Sequence, residues 1–289
     1  MLRLFADTDC DITPEVAKEY GYHLISMPYS VGGKTIYPYE DFQEFDFHSF
    51  YEMLRTGEIP TTSAISEEKY INYFEEFFAN GDDILYIHFS EAMSATFTPM
   101  RSAVKTLSEK YPEAHFYEID TRGISILGLN ILYEVGEMVK NGATVDDIMK
   151  WAETEVDKFA VYFFADDLRF FKKSGRVSGL AGTMGTLLGI RPIIYIGADG
   201  KMVSIGKEKG RQKAIEKLGD YVEELGDHIE DHRILIANAD CDDIVEYMRE
   251  MLTRRFGDNL NIQVVNVNPT IGCHCGPSAS GICFHSIHR

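Results

Sequence analysis

Short apolar runs that stop at polar turns, each followed by an amphipathic stretch, recur through the first half of the chain. Leu2-Arg3-Leu4-Phe5-Ala6 ends at Asp7-Thr8-Asp9-Cys10-Asp11, and Thr13-Pro14-Glu15 then opens a helix with a hydroxyl cap and proline in its first turn. His23–Met27, Asp83–Phe89 and His115–Asp120 repeat the strand pattern. Apolar residues at helical spacing predict helices over 67–78, 97–110 and 124–140. Strands that end in polar loops and feed helices are the mark of a parallel three-layer sheet, which takes ligands at the strand carboxyl ends.

From about Phe159 the pattern changes. Apolar runs shorten to 160–164, 192–196, 202–206, 233–237 and 262–267, and glycine-rich turns multiply. Helices are expected near 180–188, 209–226 and 241–256. The fold class is therefore α/β: an N-terminal three-layer α/β domain with a parallel sheet, and a C-terminal two-layer α/β domain with a mixed sheet. The division falls after the acidic helix 145–156, giving domains 1–157 and 158–289. No repeat or long linker separates them, so a ligand site is expected in the cleft between.

Composition narrows the chemistry. With 28 basic and 46 acidic residues the net charge is −18, which argues against nucleic acid and against an anionic membrane surface as partners. An anion site on such a chain must rely on local donors. The first residues reach an acidic cluster too early for a signal peptide, and no apolar run is long enough to span a membrane. Five cysteines without a secretory leader fit a reducing cytoplasm.

Two hydroxyl-rich stretches stand out. Pro60-Thr61-Thr62-Ser63 precedes the helix that starts near Glu67, and Ser94-Ala95-Thr96 follows the strand 83–89. Hydroxyls at a helix entrance beside unpaired N–H groups suit an anion, with Ala95 small enough for the backbone to approach. The plainer reading is a turn with Ser66 as N-cap. Lys172-Lys173-Ser174-Gly175-Arg176 concentrates cations on an acidic chain, and Arg176 is expected at the cleft. Lys207, Lys209, Gly210 and Arg211 form a second basic stretch, read as opening a helix. His274 lies between Gly/Pro-rich turns, where it is either a structural residue or a proton-handling one. Cys273-His274-Cys275, with Cys283, His285 and His288, raise the question of zinc, although Cys-x-Cys is tighter than the usual ligand spacing. Asp7, Asp9 and Asp11 have a spacing that would suit a hard cation. Dinucleotide, P-loop, nucleophile-elbow and His-Glu-x-x-His motifs are absent from the sequence.

Taken in order, Asp7–Asp11, Met27-Pro28, Tyr39-Glu40-Asp41, Pro60–Ser63, Ser94–Phe97, Asp120-Thr121, Asp167-Leu168, Lys173–Ser178, Asp199-Gly200-Lys201 and His274–Pro277 resemble the DegV family of bacterial fatty-acid-binding proteins. The resemblance implies one long-chain fatty acid held between the domains, and no cofactor or metal besides. Its carboxylate is implied to meet Thr62, Ser63, Ser94 and Ala95, with Arg176 and His274 completing the network. The family role is the lipid-presenting, non-catalytic subunit of a bacterial fatty-acid kinase, whose separate ATP-binding subunit phosphorylates the carboxylate. That role makes Arg211, with His274, the candidate for partner docking or phosphate placement. Two positions depart from the family pattern: Ser174 stands for the first glycine of Gly-Gly-Arg, and Ser278 for the last of Gly-Pro-Gly. The competing reading is a small-molecule transferase or hydrolase using His274 with Cys275 or an aspartate.

Overall fold

In the computed structural model, which describes residues 1–180 and 189–289, the first half alternates strands and helices: β1 (Leu2–Asp7), α1 (Pro14–Tyr20), β2 (Tyr22–Ile25), β3 (Tyr29–Val31), β4 (Lys34–Ile36), α2 (Phe47–Arg55), β5 (Thr61–Thr62), α3 (Glu67–Ala79), β6 (Asp83–His88), α4 (Phe97–Lys110), β7 (Phe116–Asp120), α5 (Ile126–Lys140) and α6 (Val145–Glu155). The second half comprises β8 (Phe159–Phe164), α7 (Leu168–Ser174), β9 (Val177–Ser178), β10 (Ile190–Ile196), β11 (Met202–Lys209), α8 (Arg211–Leu225), β12 (Arg233–Asn238), α9 (Asp242–Phe256), β13 (Asn261–Asn266), α10 (Pro269–Cys275) and β14 (Ser280–His285). The helix expected at 180–188 falls, beyond Leu180, outside the described residues.

The first sheet runs β2-β1-β6-β7 and is parallel throughout. Helices α1 and α5 pack together, as do α3 and α4. The chain leaves β1 for β2 on one side and returns to β6 on the other. Crevices for ligands open at such a switch point, beyond the strand carboxyl ends. Here it is bordered by Asp7–Asp11 after β1 and Phe89–Thr96 after β6. Between β2 and α3 the chain inserts a small antiparallel sheet, β4-β3-β5, and α2.

The second sheet is mixed, ordered β13-β12-β14-β8-β10-β11-β9 among the described residues. Its period-2 pattern sends alternate side chains to two cores. Tyr162, Phe164, Ile234, Ile236, Ile282 and Phe284 face α8 and α9. Val161, Leu235, Ala237 and Cys283 join the core of the first half, where α5 packs against β8, β12 and β14. A sheet expected to be covered on one side is thus closed on the other by the N-terminal half.

Polar bonds register the halves around this shared core. Asn268 caps α10, its Oδ1 accepting from Thr270 N (2.8 Å) and Ile271 N (3.2 Å). Its Nδ2 donates to Thr8 O and, at 2.8 Å, to Asp11 Oδ1, which also accepts from Asn268 N at 2.8 Å. Thr270 Oγ1 donates to Met27 O (2.7 Å) and Tyr51 Oη to Val267 O (3.1 Å). Arg289 donates to the carbonyls of Thr121, Arg122, Val156 and Phe159. α10 lies so close to α2 that a Cβ at Gly272 would meet Phe50 Cε1 at 2.7 Å. After α10, Ser278 takes φ +61°, the left-handed conformation that glycine adopts most readily, and its N–H donates to Ala239 O at 2.8 Å.

Two predictions follow from this joint. Asn268→Ala removes a helix cap and the two Nδ2 bonds, one to Thr8 O and one to Asp11 Oδ1, while the backbone N–H to Asp11 stays. It should lower unfolding free energy by about 2–4 kcal/mol with the urea m-value unchanged, whereas a change below about 0.5 kcal/mol would refute the joint's importance. Ser278→Gly should raise stability by about 1 kcal/mol, read as a higher urea midpoint, because it relieves the positive-φ strain.

Candidate functional site

Beside α10, between residues of the two halves, a cavity of about 210 Å³ opens. Its walls come from both halves. Met27, Phe89 and Met93 line it from the first sheet and its loops; Val161 and Phe163 of β8, Ile196 of β10, Met202 of β11 and Ala237 of β12 line it from the second. Ile271 of α10 and, on either side of that helix, Val267 and Ala279 complete the lining. Exposure divides the lining in two. Val161, Ile196, Met202, Ala237, Val267 and Ala279 are buried and apolar. Ser63, Ala64, Ala95 and Arg176 are exposed, with Thr62, Ser94 and His274 half-buried beside them, so the polar end is the mouth.

All six residues expected to meet the ligand head group, Thr62, Ser63, Ser94, Ala95, Arg176 and His274, line this one cavity. Their local setting differs from expectation. Thr61 and Thr62 do not sit at a helix entrance: they form β5, paired with Ser30 and Tyr29 of β3. The α3 N-terminus lies further on and is capped by Ser66, whose Oγ accepts from Lys69 N at 3.2 Å. Strand alternation, not a helix dipole, therefore turns Thr62 inward and leaves Thr61 in solvent.

The second stretch splits by function. Ser94 borders the cavity, and its Oγ accepts from Thr96 N at 3.2 Å. Thr96 is buried away from it, with Oγ1 accepting from Ile65 N (3.1 Å) and bonded to Tyr70 Oη (2.9 Å). Thr96 thus ties the 94–96 loop to the segment carrying Thr62 and Ser63. His274 is not held between two turns but sits in the last turn of α10, where its Nε2 meets Thr62 Oγ1 at 2.9 Å. Burial, with the Arg176 cation adding to it, pushes the imidazole down to about 4, so it is neutral at pH 7. Its Nδ1 is buried with no hydrogen-bond partner.

Arg176 follows Gly175, whose φ of +68° ends α7, and its guanidinium donates to Ser174 O. Ser174 is the last residue of α7, with Oγ donating to Phe171 O at 3.0 Å. Arg211 lies away from the cavity lining at the start of α8, bonded to Asp166 (2.7 Å) and Asp243 (3.0 Å). Lys207 and Lys209 belong to β11 rather than to that helix.

The metal arrangements considered from sequence do not assemble. Cys273 and Cys275, two apart on α10, diverge: Cys273 Sγ donates to Pro269 O (3.1 Å) and Cys275 Sγ to Gly276 O (3.5 Å). Cys283 in β14 is bonded instead to Asn130. The three aspartates also turn apart. Asp7 Oδ2 accepts from Tyr86 Oη (3.0 Å) and Phe89 N (3.1 Å), Asp11 accepts from Asn268 and Ser125, and Asp9 alone lines the cavity. Burial holds the Cys275 thiol well above its usual range, so it is no thiolate nucleophile for His274. Sequence reading missed Asp9, Met27 and Phe163 as cavity residues. Alternation in β8, which puts Phe163 opposite Tyr162 and Phe164, was the available signal for the last.

Comparison with known proteins places this geometry in a family. The family model described as "Uncharacterised protein, DegV family" matches residues 1–286. A DegV domain-containing protein of Clostridium perfringens is 30% identical over 282 residues, covering 97% of this chain and 96% of the relative. Among solved structures, a DegV-family protein of Ruminococcus gnavus refined with vaccenic acid superposes with a TM-score of 0.85 at 18% identity, covering 98% of this chain and 99% of that one. DegV of Bacillus subtilis, described as a fatty-acid-binding protein, gives 0.81 at 23% identity, with 99% of each chain covered. The chain belongs to the DegV family.

Proposed function

We propose that this chain binds one long-chain fatty acid, tail in the buried apolar chamber and carboxylate at the mouth, and presents it to a separate ATP-binding kinase subunit. The observation that carries the reading is the Thr62–His274 hydrogen bond at the polar end of a cavity whose remaining walls are mostly apolar. Fatty acids bound to solved family members support the ligand class. Burying a dozen methylenes contributes on the order of 10 kcal/mol before ordering costs, so affinity resides in the tail.

The head group then needs orientation rather than strong attraction. With Nε2–H donating to Thr62 Oγ1, the threonine's own proton is free to point at a carboxylate, and Ser63 and Ser94 add hydroxyls nearby. Neutral donors hold the carboxylate without quenching it as a cation pair would, and neutral His274 fits that role. In the transfer we assign to the partner, a carboxylate oxygen attacks the γ-phosphorus of ATP, the bond to the bridging oxygen breaks, and ADP leaves as the acyl phosphate forms. Arg176 stands at the mouth to steady charge there, and Arg211 is our assignment for partner docking. The acceptor half of such a reaction needs no nucleophile from this chain, and we place it in the cytoplasm, where ATP is available. Among the described residues no helix is long and apolar enough to cross a membrane. The two-domain division at 157 is part of the same proposal, since it puts one wall of the cavity on each domain.

Native mass spectrometry of freshly purified protein should show one fatty-acid adduct that disappears on delipidation and returns with added oleic acid. A protein that neither carries nor takes up the acid overturns the proposal. Thr62→Ala should weaken oleic acid binding roughly tenfold or more, the worth of one hydrogen bond to a charged group, and Thr62→Ser should restore most of it. Equal affinity in Thr62→Ala would remove Thr62 from the head-group site.

A further inference from the structure

Beyond the mouth, the cavity carries hydroxyls that are already committed. Thr270 Oγ1 donates to Met27 O at 2.7 Å, Ser280 Oγ to Ala237 O at 2.6 Å, and Ser125 Oγ to Asp11. Each has spent its proton on the protein and can only accept from a ligand. Asp9 is different. It lines the same cavity, is 8% exposed, and its Oδ1 is buried with no hydrogen-bond partner.

Asp7 also leaves one oxygen, Oδ1, without a partner, but it does not line the cavity. Asp7 and Asp11 flank Asp9 in the same loop, and each accepts at least two hydrogen bonds. The charges acting on Asp9 are those of Asp7 and Asp11, with no cation to offset them. Burial, then these like charges, hold its carboxyl well above the usual range and so favour the protonated form, which has one O–H donor and remaining acceptor capacity. The carboxyl torsion is broad and roughly two-fold, so either oxygen can turn to the cavity. Folding alone gives no reason for a carboxyl here, because an unpartnered buried polar group weakens the fold.

We propose that Asp9 is a specificity-determining residue, recognising an oxygen substituent, hydroxyl or oxo, carried along the acyl chain of the bound acid. This rests on the lipid-binding reading and deepens it. A plain chain laid across Asp9 leaves the carboxyl unsatisfied, and a chain bearing oxygen at the matching carbon completes it. The discrimination expected from one buried polar group left unpaired is roughly ten- to hundredfold.

Delipidated protein titrated with stearic acid and with its monohydroxy and oxo positional isomers tests this directly. At least one isomer should bind wild type roughly tenfold or more tighter than stearic acid. Asp9→Leu should abolish that preference and tighten stearic acid. Asp9→Asn, which keeps shape and hydrogen-bonding capacity, should retain most of the preference and guards against a folding artefact. If no isomer exceeds stearic acid, as when an ordered water satisfies Asp9, the proposal falls while lipid binding stands. It falls equally if the preference persists in Asp9→Leu. Failure of every acid to bind overturns both readings.

Discussion

Everything at the mouth of the cavity depends on how α10 is seated. A seven-residue helix with a glycine at its centre has little stability of its own. Asn268 anchors it with one side chain: the amide oxygen caps the helix, and the amide nitrogen reaches the loop after β1. That loop in turn is held by Asp11, Thr8 and Asp7 against α5, β2 and β6. The acidic cluster that resembled a cation site is thus the joint between the halves. Asp7 and Asp11 in it accept from amide and hydroxyl donors, which is why those two can be buried without a metal-like countercharge.

Seating α10 decides the chemistry of the cavity. It brings His274 from the C-terminal half onto Thr62 from β5, so the polar end is assembled from elements 212 positions apart. The same helix presents Ile271 and Thr270 to the chamber with the threonine proton turned to Met27. Polarity inside the cavity is therefore set by where hydroxyl protons are spent rather than by how many hydroxyls are present. Thr96 illustrates the rule, since it lies two residues from Ser94 yet serves only to hold the neighbouring loop.

Much of this was legible from the chain. The parallel sheet follows from apolar runs feeding helices, and the six mouth residues lie in the hydroxyl-rich, basic and Gly/Pro-rich stretches that stand out along the chain. What failed to show had physical reasons. β5 is two residues long and exists only through pairing with β3, so no local pattern announces it. α10 carries Thr270, Ile271 and Gly272, poor helix formers, and is held by tertiary bonds. β14, between β12 and β8, is fully buried, and its Ser-Gly-Ile-Cys-Phe-His sequence lacks alternation because both its faces are covered.

By itself the sequence determined which residues were chemically suited to an anion and in what order they came. It also determined the two periodicities that build the sheets, because those depend only on neighbours along the chain. It could not say which hydroxyls face a ligand, that the aspartates form a joint, or that Asp9 alone among them is left unpaired in the cavity. Those facts depend on which proton finds which acceptor across the halves, and that is settled only when α10 docks.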